Sequence, residues 1–189
     1  MSAAESKPTV ASAAAVDIRL LDVDAYREAV PGLTELILDA VAGGASINFL
    51  ADVTPEDARA WWQGREDAVA RGVVSPFVAF INGRVVGSAL LTRSVKANSP
   101  HRAEVEKVVV HRSARRLGIA SALMSAIEEL ARAEGRWLLV LDTVSGSAAD
   151  ALYRSLEWQE TGTVPDYAML PDGTPAAATF FWKDLRKRG

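Results

Sequence analysis

"VEKVVVHRSARRLGIASALM", residues 105–124, decides how the rest of the chain is read. Its first part is a β-branched run. Its last part begins an apolar stripe, Ile119, Leu123, Ile127 and Leu130, at helical spacing. Between them lies a turn holding Arg112, Arg115, Arg116 and Gly118. A strand that ends in a tight turn and feeds a helix presents unpaired backbone N–H groups and the positive end of the helix dipole to whatever lies above it. Such a turn binds anions. Arg115 and Arg116 add cationic charge, Gly118 permits close backbone approach, and Ala120 keeps the helix start small. A pyrophosphate would suit this turn. It is no P-loop, because no Lys-Ser/Thr pair follows the glycine, and no dinucleotide fingerprint, because it has a single glycine. An arginine cluster alone is more often a solvated basic turn, so the surroundings must decide.

Downstream, "RWLLVLDT" (residues 136–143) is nearly all apolar, as expected of a strand covered on both faces. The strand, helix, strand passage from 104 to 142 is a crossover, and the handedness rule makes its two strands parallel. Ala148, Leu152 and Leu156 with Tyr153 mark a shorter helix, and "AAATFFWKDL" (176–185) closes the sheet after a Pro171-Asp172-Gly173 turn. Upstream, "SPFVAFINGRVVGSALLTR" (75–93) reads as two strands joined by Asn82-Gly83, a strong hairpin signal. Thr54, Pro55, Glu56 and Asp57 cap and start one helix running to Gly72. An earlier helix spans 24–41, with Pro31 expected to break or restart it and "GGAS" (43–46) to stop it; "DIRLLDV" (17–23) is a short strand. The fold class is α/β: one domain over residues 17–189, with a mixed, mostly antiparallel sheet, one parallel strand pair and flanking helices. Residues 1–16 read as a disordered tail, because Glu5 and Pro8 interrupt what would otherwise be a weak signal peptide.

Composition removes several function classes. The net charge of −3 gives no field to recruit nucleic acid or an anionic membrane, so any anion site is local. No apolar run is long enough to span a bilayer. The absence of cysteine excludes disulfides, thiolate metal sites and a cysteine nucleophile, and agrees with a reducing, cytoplasmic location. Two histidines, His101 and His111, argue against a histidine-rich metal site, and no metal is expected.

"RRLGIA" (115–120) resembles the Arg/Gln-x-x-Gly-x-Gly/Ala motif of the GNAT N-acetyltransferases, which follows their fourth strand and binds the pyrophosphate of acetyl-CoA. The order of elements is similar over about residues 17–185. "GGASINFLADV", "NSPHRAEVEKVVV", "LDTVSGSAADALYRSLEW" and "PDYAMLPDGTPAAATFFWKDL" resemble in particular the subgroup that contains tabtoxin resistance protein. The resemblance implies a splayed parallel strand pair, with Arg115, Arg116, Leu117, Gly118, Ile119, Ala120 and Ser121 at the pyrophosphate. The main chain of Val108, Val109 and Val110 would lie beside the pantetheine arm and thioester. It also implies that Tyr153 stands beside the sulfur as general acid. The chain departs from many members at Gly146, where they have asparagine, and at Glu157-Trp158, where they have Gly-Phe.

Acetyl transfer to an amine needs a neutral nucleophile, a held thioester, a donor for the developing oxyanion and a proton for the departing thiolate. Glu104 and Glu106, two apart on a strand, share a face; Asp142 ends an apolar strand at the carboxyl end, where parallel strands gather ligands. A charge there is costly without a partner or a cleft. Glu104 with Asp142 is preferred to Glu106 as base, with a solvated strand face and an Asx turn as the ordinary alternatives. By family position "GGASINF" (43–49) folds over the acceptor, which would place Asn48 and Phe49 at substrate, with loop packing as the alternative; Arg102, just ahead of Glu104, faces either an anionic acceptor or solvent. Trp61 and Trp62 read as helix-face core. The expected activity is direct transfer, in a ternary complex, from acetyl-CoA to a small amine, in its sharpest form an amino-acid-like toxin such as tabtoxinine-β-lactam. The protein acts as a monomer or homodimer, without nucleic acid or membrane. Acetylation of a protein or peptide amine and a non-catalytic acyl-CoA sensor are the other classes; a sensor has no use for Glu104, Asp142 and Tyr153.

Overall fold

In the computed structural model, which describes residues 15–186, the chain alternates seven strands and five α-helices. In order these are β1 (Asp17–Leu20), α1 (Val23–Ala42), α2 (Pro55–Gln63), α3 (Glu66–Ala70), β2 (Val74–Ile81), β3 (Arg84–Arg93), β4 (Arg102–Val110), α4 (Ile119–Ala133), β5 (Leu138–Val144), α5 (Ala148–Ser155), β6 (Gln159–Met169) and β7 (Pro175–Asp184). A short 3₁₀ turn, Arg112–Ala114, separates β4 from the arginine-glycine turn. The tail expected over residues 1–16 lies, up to residue 14, outside the described residues.

One sheet takes the order β1-β2-β3-β4-β5-β7-β6, antiparallel throughout except for β4 beside β5. Asn82 (φ 50°) and Gly83 (φ 77°) both take left-handed backbone, the requirement of the two-residue primed turn that joins β2 to β3. The sheet separates two apolar cores. Leu33, Leu36, Ile37 and Trp62 fill the side under α1 and α2; Leu123, Ile127, Leu139 and Phe181 fill the side under α4 and α5.

Three elements depart from the sequence reading. α1 is continuous through Pro31, because Pro31 and Arg27, whose carbonyl loses its partner, both lie on the solvent face where water replaces the missing bond. The helix expected from Thr54 to Gly72 is two helices that part at Gly64 and Arg65. β6 had no signal. It is an edge strand exposed at nearly every position, so it has no buried face to impose alternation, and it tolerates Gly162 and Pro165 where a central strand would not.

Two features of β4 position the site. Its pairing with β5 covers only Arg102↔Leu138, Ala103↔Leu139 and Glu104↔Val140; beyond that, β5 continues along β7 and β4 diverges. The β5-facing main-chain groups of β4 past Glu104 are thus left without a strand partner. The second feature is a bulge: Ser88↔Val109 and Leu90↔Glu106 are paired, so Ala89 alone opposes Lys107 and Val108. Lys107 takes φ 50°, and the buried Ser88 hydroxyl donates to its carbonyl at 2.9 Å. An extra residue reverses the side-chain alternation. Val105 packs with the α4 core and Val109 with the α1 core, although four residues apart they would share a face in a regular strand.

Candidate active site

A cleft of about 910 Å³ opens where β4 and β5 part. Its walls come from β4, the start of α4, the end of β5, α5, the loop after α1 and the β6–β7 hairpin. That loop is tied across the opening by two hydrogen bonds, Ser46 Oγ to the Met169 carbonyl (2.9 Å) and Ala51 N to the Pro171 carbonyl (2.8 Å). Asn48, at φ 73°, lines the cleft. Phe49 does not; its ring meets Trp61 edge-on at 6.4 Å. Arg102, at the first position of β4, also stands outside the lining.

The turn after β4 brings Arg115, Arg116, Gly118, Ile119, Ala120 and Ser121 to one end of the cleft. Gly118 is the residue before α4 and has φ 75°, ψ 4°, a conformation that costs other residues about 1–2 kcal/mol. An added Cβ there would meet nothing in the protein within 4 Å, so the space above it is open for a ligand. The first N–H groups of the fifteen-residue α4 have no carbonyl four residues back and point into that space. Arg115 and Arg116 form no ion pair among the described residues; Arg115 Nε makes only a long 3.4 Å bond to the Val110 carbonyl. Arg112, grouped with them by sequence, is elsewhere. Its backbone N–H and Nε both bond the Asp39 carboxylate, at 2.9 and 2.8 Å, locking the turn to the end of α1. Leu117 is exposed and outside the cleft lining. Val108 and Val110 direct their side chains to the α4 core and Val109 to the α1 core, while all three line the cleft.

Glu104, Glu106, Asp142 and Tyr153 line this same cleft. Partial loss of water raises the Glu104 carboxyl above its ordinary range, and the charges of Glu106 and Asp142 raise it further. Asp142 is also raised, first by loss of water; Lys107 opposes that shift and Glu106 adds to it. Glu106 is held by Arg65, whose Nη2 donates to its Oε2 at 3.0 Å. The Tyr153 phenol is pushed well above its ordinary value, by burial and then by the charge of Asp142, so it keeps its proton at neutral pH. Its ring is fixed between Trp158 and Phe181, both 6.0 Å away.

The turn that holds Tyr153 compensates for the departure at Glu157-Trp158. Trp158 N donates to the Tyr153 carbonyl (3.0 Å) and Glu157 N to the Arg154 carbonyl (3.1 Å), the two bonds of a Schellman end, with the rings of Tyr153 and Trp158 as its apolar contact. Glu157 occupies the left-handed position, φ 62°, that glycine takes at the end of α4 in Gly135. At the other end of α5, Ser147 caps the helix and Gly146 N donates to the buried Asp150 carboxylate at 2.8 Å.

Sequence reasoning missed Lys107, Arg65 and the part played by Trp61. Lys107 Nζ and the Arg65 guanidinium each lie 4.6 Å from the Trp61 ring centroid, while Trp62 is buried as expected, with Nε1 donating to the Leu33 carbonyl. A signal for Lys107 was present. Regular alternation from the buried Val105 would bury a lysine at 107, and a bulge relieves that conflict.

A model of the acetyltransferase (GNAT) family matches residues 39–158. The chain is 30% identical over 146 residues to an uncharacterized N-acetyltransferase from the hisH-hisA intergenic region of Azospirillum brasilense, covering 69% of this chain and 85% of that one. A ribosomal-protein-alanine N-acetyltransferase of Brucella melitensis superposes with a TM-score of 0.67 at 28% identity, covering 88% of this chain and 98% of its own. An acetyltransferase of Salmonella typhimurium, solved with its cofactor acetyl-CoA, shares the fold with a TM-score of 0.71 at 24% identity, covering 93% and 96%.

Proposed function

The chain belongs to the GNAT acetyltransferase family, and from that premise we propose that it transfers the acetyl group of acetyl-CoA directly to the amine of a small, amino-acid-like molecule. The observation that carries this reading is the meeting, in one cleft, of an open anion-binding turn with two carboxylates of raised pKa and a protonated phenol. The exposed helix start with Arg115 and Arg116 fits the pyrophosphate, and the unpaired edge of β4 at residues 108–110 fits the pantetheine arm and thioester oxygen. The acceptor amine gives its proton, through water, to Glu104 or Asp142 and attacks the thioester carbonyl. The carbon–sulfur bond then breaks, and the departing thiolate takes the proton of Tyr153. The likeness to the tabtoxin-resistance subgroup and the net charge of −3 favour a toxin or antibiotic amine over a nucleic-acid acceptor, and the absence of cysteine favours work in the cytoplasm; the protein would act as a monomer or homodimer.

A thiol-release screen with acetyl-CoA against amino acids, β-lactam amino acids, polyamines and peptides tests the reading. Turnover with small amines is expected, and Tyr153→Phe should lower it by roughly ten- to ten-thousand-fold while the ring keeps its packing. Release with peptides alone would end the small-molecule reading in favour of the activity named for the Brucella protein. Acetyl-CoA binding without release in any arm would identify a sensor.

A further inference from the structure

Lys107 lines the cleft and its charge has no direct partner among the described residues; Arg115 and Arg116, also without an ion pair, belong to the turn read as the pyrophosphate site. Among the described residues, Arg65 is committed to Glu106 and Lys183 to Glu128, while Lys107 Nζ has neither a hydrogen bond nor an ion pair and touches only the face of Trp61, at 4.6 Å. The bulge and the Ser88 hydroxyl fix its backbone, so its position is built in rather than accidental. The carboxylates of Glu104 and Asp142 share the cleft with it. With Glu106 neutralised by Arg65, the cleft offers two acids to an ammonium group and one ammonium to an acid. A second amine would fare poorly, since it would meet Lys107 as a like charge and find Trp61 already occupied by two cations.

Resting on the reading of this cleft as a site of small-molecule acetylation, we propose that Lys107 is a carboxylate-binding subsite and that the acceptor carries a carboxylate along with the amine that is acetylated. The acceptor amine lies toward Glu104 and Asp142 and its carboxylate toward Lys107. The groups facing Lys107 are Glu104 and Glu106 from its own strand, Trp61 and Arg65 from α2 and the junction after it, and Asp142 from β5. Burial lowers the ammonium pKa to about 8, with Arg65 acting in the same direction against the three carboxylates. Lys107 is therefore largely charged at pH 7 and loses its charge as the pH passes about 8, so preference for an acid acceptor weakens above that point.

The test measures kcat/KM, by thiol release from acetyl-CoA, for each common amino acid and its carboxamide, with spermidine as the polycation. The wild type should favour the acid over its carboxamide, with the ratio falling between pH 7 and 9. In Lys107→Met the ratio should fall roughly ten- to a hundred-fold, the range for a hydrogen bond to a charged group, and lose that pH dependence, while Lys107→Arg should retain much of the preference. Should Lys107→Met fold poorly, Lys107→Gln gives the same comparison with a polar side chain. An unchanged ratio in the neutral variants, or spermidine as the better acceptor of the wild type, overturns the subsite while leaving small-molecule acetylation intact. Thiol release from no small amine overturns both.

Discussion

Glu104 is held among like charges at the floor of the cleft, and its raised pKa has a consequence for stability as well as for catalysis. A carboxyl that holds its proton more firmly in the folded chain than in the unfolded one adds stability below its unfolded pKa, and loses that contribution as the pH rises through the folded value. At neutral pH the charged form is a net burden on the fold. Glu104→Gln should therefore lower turnover yet raise the melting temperature at pH 7, and the gap to wild type should close as the pH falls below the ordinary glutamate range. Asp142, shifted the same way, should behave alike in Asp142→Asn. Paired activity assays and thermal melts check this; a variant that is fully active and no more stable at pH 7 contradicts it. Residues that announce themselves in sequence are those whose type conflicts with their surroundings, such as Asp142 after an apolar run or Gly118 in a basic turn. Arg65 and Glu106 are 41 residues apart, and no local pattern joins them.

At the scale of elements, one helix start was legible because its cap is chemical: Thr54 accepts a backbone N–H at the head of α2, while Asp22 and Ser147 cap α1 and α5 in the same way without having been read as caps. Glu157 is the exception that tests the rule. It adopts the left-handed conformation of a Schellman end without glycine's freedom, so Glu157→Gly should stabilise the protein by about 1 kcal/mol, the strain relieved outweighing the entropy given to the unfolded chain. Chemical denaturation with an unchanged m-value would show the gain; a loss would mean that the Glu157 side chain supplies something its backbone angle does not reveal. The crossover from β4 through α4 to β5 was readable because its strand sequences are rich in apolar residues and its helix carries one apolar stripe. β6 and the break between α2 and α3 were not, since one has no buried face and the other interrupts a continuous apolar spacing only at Gly64 and Arg65.

At the scale of the whole molecule, acetyl-CoA would bridge β4, the start of α4 and α5, elements that otherwise meet mainly through the core. A ligand present at a hundred times its dissociation constant adds about 2.7 kcal/mol to folding stability, which for a chain of this size corresponds to a rise in Tm of roughly 5–10 °C. Gly118→Asp, which puts a carboxylate into the open space above the turn, should abolish the rise; an equal shift in the folded variant would remove the pyrophosphate assignment. The bulge in β4 has a consequence of another kind. Because one extra residue turns the strand over, Glu106 and Lys107 face α2 and Trp61, while Val108 and Val110 face the α4 side. If donor and acceptor divide the strand as proposed, the two halves answer to separate selective pressures. Drift at 61, 65, 104, 106 and 107 would then re-aim the enzyme at new amines over generations while its grip on the acetyl donor is inherited unchanged.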